Sequence, residues 1–278
     1  MEEQRLPKIL YKYRSFQENV VVEERYQKKS FADGELYFAN HSELNDPFDM
    51  KIRKKIETLP EIDKLMHIIF HLAKLDGSRS FSLLLQEAKN IHEMNLKERP
   101  DIYKKRSIEA IGKENDAIER GTLCFCERMD DILMWSHYGN SNKGFCLGYN
   151  TEKLKEYLIE NKYALLGIFR VKYFSEYPEI KPYFGHDIEN IRTKLASKSM
   201  IWSYEKEWRL IIHNQTSIAI QIPNEIVEEI ILGSCVSEDT EKEILLIQRE
   251  KYPHAKVFKV EPDDSEFKLN VKPYLVKI

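Results

Sequence analysis

The sequence predicts an α+β fold, with a strongly bent mixed β-sheet that is split in two, flanking helices and a helical insert. Short β-type runs bounded by turn residues recur along most of the chain. Residues 58–119 instead carry apolar residues at helical spacing and contain only two glycines, Gly77 and Gly112. Later helical segments alternate with further strands. We therefore expect a single domain over residues 1–278, with residues 58–119 as a helical insert or lid.

The first predicted strand covers residues 8–16, KILYKYRSF. Tyr11 and Tyr13 alternate there with Lys12 and Arg14, so the aromatic and the cationic side chains take opposite faces. Similar patterns give the remaining strands. They are predicted at residues 35–39, 121–127, 144–149, 165–174, 207–213, 217–222, 226–232 and 255–260.

Helices outside the insert follow from apolar spacing and from capping residues. Asn45 or Asp46 can cap a helix that has Pro47 at its first position. Asp130 is a suitable cap for a short helix that Gly139 ends. Helical patterns are predicted at residues 19–29, 130–138, 153–161 and 238–252.

The composition argues against several classes of protein. Hydrophobic residues make up 42% of the chain and charged residues 32%, which is typical of a globular protein. The net charge is −3, so the chain has no overall basic excess of the kind that nucleic-acid-binding proteins show. The basic runs at 51–55 and 104–106 could still line a groove that binds nucleic acid locally. Because no signal-peptide pattern or membrane-length apolar run occurs, we expect a cytoplasmic protein without membrane contact. The four cysteines fit no zinc pattern, so we expect reduced, buried thiols and no metal.

Four blocks combine polar and aromatic residues. They are LYKYRSF (residues 10–16), ELNDPFD (43–49), LMWSHYGNSNKGFCLGY (133–149) and KSMIWSYEKEWRLII (198–212). In order and spacing the blocks resemble the bacterial family called domain of unknown function 2971, over nearly the whole chain. The resemblance implies one assembled active or binding site, and it names no reaction.

A second resemblance, to the ADP-ribosyltransferase fold, suggests an activity. Arg14 lies on the opening strand and Glu207 on a late strand, in an order similar to that of the DNA-modifying ADP-ribosyltransferases of toxin–antitoxin systems. Glu205 and Glu207 form an E-x-E pair that resembles the arginine-modifying members, while the middle block departs from these enzymes. The resemblance implies NAD as substrate, a nucleic-acid or protein acceptor, and an antitoxin or defence partner.

The chemistry that this resemblance implies can be assigned to individual residues. On a strand, Glu205, Glu207 and Arg209 would share one face. Glu207 would stabilise positive charge on the ribose while the bond to nicotinamide breaks, and Glu205 would orient or deprotonate the acceptor. Arg14 would clamp the pyrophosphate. Groups that would stack on the rings or hold the rest of NAD are Tyr13, Trp135, Tyr138, Lys143 and Ser199.

Structural roles compete with these assignments. Arg209 could pair with Glu205 or Glu207 as a satisfied ion pair. Trp135 and Tyr138, three residues apart, could form a buried aromatic pair.

Other residues are open to both interpretations as well. Asn45 could pair with Arg14 and shape the pocket, or it could act as a helix cap. Asp46 and Asp49 could bind a metal, although they fit a helix N-terminus better. His137 could be an acid–base group or a hydrogen-bonded structural residue.

Three classes of function follow. The first is an NAD-dependent transferase, which needs Arg14, the middle aromatic residues and Glu207 in one cleft. The second is a nuclease or other hydrolase, which needs His137 close to Asp46 or Glu127. The third is a non-catalytic ligand or partner module, which predicts a pocket without a titratable group at its centre. Sequence order favours the first.

Overall fold

The chain divides into two units, each made of separate stretches of sequence. In the computed structural model, the residues described are 5–16, 30–50, 61–98, 120–179 and 188–274. Met1–Asp49, Glu119–Tyr173 and Ser199–Ile278 form the first unit, and Met50–Ile118 with Phe174–Lys198 form the second. The helix predicted at residues 19–29 and the basic runs 51–55 and 104–106 lie outside the described residues.

The main strands of the first unit form a mixed sheet. They are β1 (Ile9–Arg14), β3 (Arg120–Cys126), β4 (Phe145–Asn150), β5 (Leu165–Arg170), β8 (Glu207–His213), β10 (Val227–Leu232), β11 (Lys256–Pro262) and β12 (Leu269–Pro273). Their order across the sheet is β12-β11-β10-β4-β1-β3-β8-β5. Only β10 and β11 pair in parallel; the other pairs are antiparallel. The predicted α+β class with a large mixed sheet is therefore confirmed.

All eight strands belong to one sheet, but strands β1 and β3 are paired at a single position. β1 pairs with β4 at six register positions, whereas β1 pairs with β3 only through Tyr11 and Cys126. A separate two-stranded sheet contains β2 (Glu35–Phe38) and β9 (Ile218–Gln221). The eight strands thus form one connected sheet and not the two halves that the sequence analysis expects.

Helices of the first unit pack on both faces of this sheet. They are α3 (Ile132–His137), α4 (Thr151–Glu160) and α6 (Glu238–Lys251). On one face, Leu154, Leu158 and Ile244 from α4 and α6 belong to a large apolar core that contains alternate residues of the strands. On the other face, Trp135 of α3 packs against Tyr13 and its neighbours.

The second unit contains a pair of helices within the range predicted as an insert. They are α1 (Glu61–Leu75) and α2 (Phe81–Glu98), and a further helix is α5 (Ile188–Leu195). Buried residues of α1 and α2, among them Ile69 and Ala88, form a separate apolar cluster. The assignment of the whole chain to a single domain remains a prediction.

Several boundaries differ from the predictions for local reasons. The run predicted as one strand at 165–174 divides into β5 and β6 (Lys172–Phe174). Asp131, not Asp130, caps α3 by accepting from Leu133 N and Met134 N, because Asp130 pairs with Arg128. A helix is predicted to begin at Pro47. Of this helix the structure describes residues 47–50, and they form a turn.

Four elements carry no strong signal in the sequence. They are β7 (Ser197–Ser199), β12, α5 and the 3-10 helix η2 (Met200–Glu205). Two further 3-10 turns are η1 (His41–Glu43) and η3 (Asn224–Ile226). None of the helices among the described residues combines the length and the apolar character that crossing a bilayer requires.

Candidate functional site

Glu207 takes part in a buried ion cluster. Both of its carboxylate oxygens accept from Arg209, at 2.8 Å from Nε and 3.1 Å from Nη2. Arg209 Nη2 also donates to Asp49 Oδ2 at 2.8 Å. Arg209 is fully buried, and although burial alone would lower its pKa, Glu207 and Asp49 help to hold that pKa well above its ordinary value. This geometry supports the structural interpretation of Glu207, because a bidentate guanidinium already neutralises its charge.

Glu205 occupies a different environment from Glu207. It ends the 3-10 helix η2, and the next residue, Lys206, has a left-handed backbone with φ 45° and ψ 47°. Only after this reversal does strand β8 begin. The prediction that Glu205 and Glu207 share a strand face is therefore wrong.

Tyr138 connects two of the predicted site residues. Its hydroxyl donates to Glu205 Oε1 at 2.7 Å and accepts from Asn45 Nδ2 at 3.0 Å. Glu205 is 4% exposed, whereas the Tyr138 ring is half-buried. The structure thus brings Asn45, Tyr138 and Glu205 together around one phenolic oxygen.

His137 and two further aromatic residues lie next to this group. His137 Nδ1 and Tyr204 Oη are 2.9 Å apart, and the ring centroids of Tyr204 and Trp202 are 6.0 Å apart. His137 is exposed, and both Tyr204 and Trp202 are half-buried. Because His137 adjoins Tyr138 and Tyr204 adjoins Glu205 in sequence, these residues lie next to one another. We call the group of Asn45, His137, Tyr138, Trp202, Tyr204 and Glu205 the aromatic–carboxylate site.

The local folding of two short helices explains why these residues meet. Tyr138 immediately follows α3 as its C-cap, and its amide donates to Met134 O. Residues of η2 eclipse every third position, which places Ile201 and Tyr204 on one side of that helix. The loop that carries Asn45 follows η1, which is fixed by a capping box between Asn40 and Glu43.

Arg14 does not contribute to the aromatic–carboxylate site. Tyr11, Cys126 and Glu207 are neighbours in the register and share one face of the sheet. Arg14, three residues after Tyr11, lies on the opposite face and donates to Ser30 Oγ at 3.3 Å. The predicted pairing of Asn45 with Arg14 is wrong, since Asn45 donates to Tyr138 instead.

Tyr13 and Trp135 have structural roles. Tyr13 Oη donates to Arg128 O, and Trp135 Nε1 donates to Met129 O. Their rings meet edge to face with centroids 5.1 Å apart, and Trp135 is fully buried. The buried aromatic pair is therefore Tyr13 with Trp135, not Trp135 with Tyr138, and neither ring is placed to stack on a ligand.

The remaining predicted residues are not brought into this site by the described contacts. Lys143 is exposed in the loop after α3, where Asn140, Ser141 and Asn142 all have positive φ. Ser199 precedes η2 and makes no side-chain cap bond to it. Glu127 forms an ion pair with Arg170 at 3.2 Å.

The thiols and carboxylates do not form a metal site in the described part of the chain. Cys126 and Cys146 are buried, as predicted, while Cys124 is half-buried and Cys235 is exposed. All four are free thiols. Burial raises the pKa of Cys126 to about 12, so its thiol stays protonated at neutral pH.

Two contributors to these clusters are not predictable from local sequence patterns. A strand pattern places Tyr204 on the face opposite Glu205, whereas the segment folds as the helix η2. Asp49 fits a helix N-terminus by pattern, but its carboxylate reaches Arg209, 160 positions further along the chain. No local pattern signals such a pairing.

Comparison with known proteins supports the resemblance to the uncharacterised family for part of the chain. Residues 134–210 match the family model described as "Protein of unknown function (DUF2971)". This stretch holds all but one residue of the third block and all but two of the fourth, including five of the six residues of the aromatic–carboxylate site. No curated protein and no solved structure matches the chain.

Proposed function

We propose that the protein is an NAD-dependent ADP-ribosyltransferase whose reaction centre is the aromatic–carboxylate site. The observation that carries the proposal is a buried carboxylate, Glu205, held by Tyr138 beside half-buried aromatic rings. Such rings can stack on the planar nicotinamide or adenine of NAD. A preorganised carboxylate in a site with little water can stabilise a developing ribosyl cation.

In this proposal Glu205 takes the role that the sequence assigns to Glu207. Both carboxylate oxygens of Glu207 accept hydrogen bonds from Arg209. If Glu207 turned towards a substrate, the buried Arg209 guanidinium would lose part of the negative charge that compensates it. Glu205 accepts a hydrogen bond from the neutral phenol of Tyr138. Movement of the half-buried Tyr138 ring would open the carboxylate to the substrate.

The reaction balances without another cofactor. The bond between the ribose C1′ and the nicotinamide nitrogen breaks, and its electron pair leaves with nicotinamide. Glu205 stabilises the positive charge on the ribose. A nucleophile of a nucleic-acid or protein acceptor forms the new bond to C1′, and its proton passes to Glu205 or to water. In the proposed complex, His137 would donate a hydrogen bond to the substrate, and Asn45 would do so once Tyr138 moves away.

Nicotinamide release from NAD tests this proposal. We expect release by the purified chain, with nucleic acids or a cell lysate present as acceptors. The Glu205→Gln variant should lose activity by about 10²–10³-fold, because the neutral amide cannot stabilise the cation. Glu250→Gln, at an exposed position on α6, is the matched control and should keep full activity. A folded wild-type protein that neither binds NAD nor releases nicotinamide would refute the proposal.

A hydrolase centred on His137 is the second candidate. The observation that favours it is the exposed imidazole of His137. Its Nδ1 lies 2.9 Å from the Tyr204 hydroxyl, and this contact orients the ring. Among the described residues, its hydrogen-bond partner is this hydroxyl and not the carboxylate of Asp46 or Glu127. Hydrolysis of single-stranded nucleic acid without NAD, lost in His137→Gln and kept in Glu205→Gln, would favour this candidate over the transferase.

A further inference from the structure

Lys12 and Arg14 form a pair of cations in the opening between β1 and β3. Both lie on the same face of β1, two residues apart, and both are half-buried. Beyond the join of Tyr11 with Cys126, the next antiparallel partners would be Tyr13 and Cys124, but no pairing forms there. The Lys12 ammonium reaches into this gap and donates to the Cys124 carbonyl at 2.8 Å.

Among the described residues, no carboxylate lies within ion-pair distance of either cation, although the Glu207 carboxylate favours the charged form of Lys12 at longer range. Within the described ranges, neither side chain forms an ion pair with a carboxylate: Lys12 contacts Cys124 O and the Phe125 ring, and Arg14 contacts Ser30 Oγ. Other cations with little exposed surface in this unit are paired, for example Arg209 with Glu207 and Asp49. Two adjacent charges that are half removed from water and unpaired are costly, and a bound anion would offset that cost.

We propose that Lys12 and Arg14 form a binding site for a single phosphate group on the face of the sheet opposite the aromatic–carboxylate site. The planar guanidinium of Arg14 offers parallel N–H groups to two oxygens, and the ammonium of Lys12 supplies a point charge. The Ser30 hydroxyl, already within reach of Arg14, lies at the same place. Two half-buried cations match one compact group, whereas a nucleic-acid backbone needs a row of exposed cations.

The electrostatics of the pair agree with this site. Burial and the neighbouring Arg14 lower the pKa of Lys12 to about 7, and the opposite effects of Cys124 and Glu207 do not cancel this shift. Burial also lowers the pKa of Arg14. An anion between the two groups would reverse both effects, because it favours their charged forms. The proposal does not depend on the transferase activity.

Calorimetric titration with inorganic phosphate, at constant ionic strength set with NaCl, tests the proposal. We expect saturable one-site binding by the full chain, and weaker or no binding of acetate. Arg14→Met and Lys12→Met should each weaken phosphate binding by at least about 10-fold. Lys251→Met, which removes an exposed cation at the end of α6, is the matched control and should bind as the wild type does.

Additional variants distinguish a geometrically defined phosphate site from a general attraction of anions to positive charge. Arg14→Lys keeps the charge but loses the planar fork, so it should bind phosphate with an affinity between those of the wild type and Arg14→Met. Glu205→Gln should bind phosphate normally even where nicotinamide release is lost. Absence of saturable binding by the wild type up to about 10 mM phosphate would overturn the proposal. Equal affinity in the wild type, Lys12→Met and Arg14→Met would overturn it as well.

Discussion

At the scale of single residues, two buried glutamates that are close in sequence differ in the partners that the structure shows for them. Arg209 is fully buried and bound to Glu207 and Asp49. Glu205 is nearly as buried, but it accepts a hydrogen bond from the neutral phenol of Tyr138. The two glutamates of the E-x-E pair therefore differ in these hydrogen-bond partners despite their closeness in sequence.

Removing Arg209 should destabilise the protein strongly. Arg209→Met leaves the Glu207 and Asp49 carboxylates close together without their cation, and we expect the free energy of unfolding to fall by about 3–5 kcal/mol. Urea denaturation measures this change. Lys268→Met, which breaks an exposed ion pair with Glu266, should leave the stability close to that of the wild type. A loss of less than about 1 kcal/mol in Arg209→Met would show that the buried cluster does not stabilise the fold.

The half-buried Lys12 should give stability a specific dependence on pH. Its pKa is about 7 in the folded protein, below its ordinary value of 10.5. Between these values the unfolded chain binds more protons, so the free energy of unfolding should rise with pH; below about pH 7 the destabilisation is fully present. Relative to Lys12→Met, the wild type should gain about 2 kcal/mol between about pH 7.5 and pH 9.5 in phosphate-free buffer. Parallel urea-denaturation profiles for the two proteins would contradict this assignment.

At the scale of elements, close backbone approach determines how β1 and β4 pair. A Cβ added at Gly144 would lie 2.0 Å from the Arg14 carbonyl oxygen, so only glycine fits there. Gly144→Ala should therefore reduce the free energy of unfolding by about 3 kcal/mol, as judged from thermal or urea unfolding. Gly77→Ala is a control, because its added Cβ would lie 3.7 Å from the Ala73 carbonyl oxygen and its cost should stay within about 0.5 kcal/mol. Similar stability of the two variants would argue against the close approach.

Element types are predictable from the sequence to the extent that local patterns determine them. The alternation in β1 and the apolar run of β8 predict these strands nearly at their observed bounds. The short helix η2 (Met200–Glu205) is not predicted, because six residues are too few to show a helical period. One missed 3-10 helix is enough to misplace Glu205 and Tyr204.

At the scale of the whole molecule, the sequence predicts the α+β class and the large mixed sheet but not the pairing across it. The positions of Arg14 and Glu207 on opposite faces depend on the single register contact between Tyr11 and Cys126. Long-range pairs such as Asp49 with Arg209 likewise have no local signature. The candidate site could thus be predicted as a set of residues, of which Asn45, His137, Tyr138 and Glu205 assemble, but its centre could not.

We propose, in short, that chemistry occurs at Glu205 and that Glu207 maintains the structure. The decisive experiment compares nicotinamide release from NAD by Glu205→Gln and by Glu207→Gln, with the folded fraction of each variant determined by circular dichroism. We expect that Glu205→Gln stays folded and loses release by about 10²–10³-fold. Glu207→Gln should be less stable but should retain release in proportion to its folded fraction. A folded Glu207→Gln protein without activity, beside an active Glu205→Gln protein, would contradict this division of roles. That result would assign the reaction to Glu207 on strand β8.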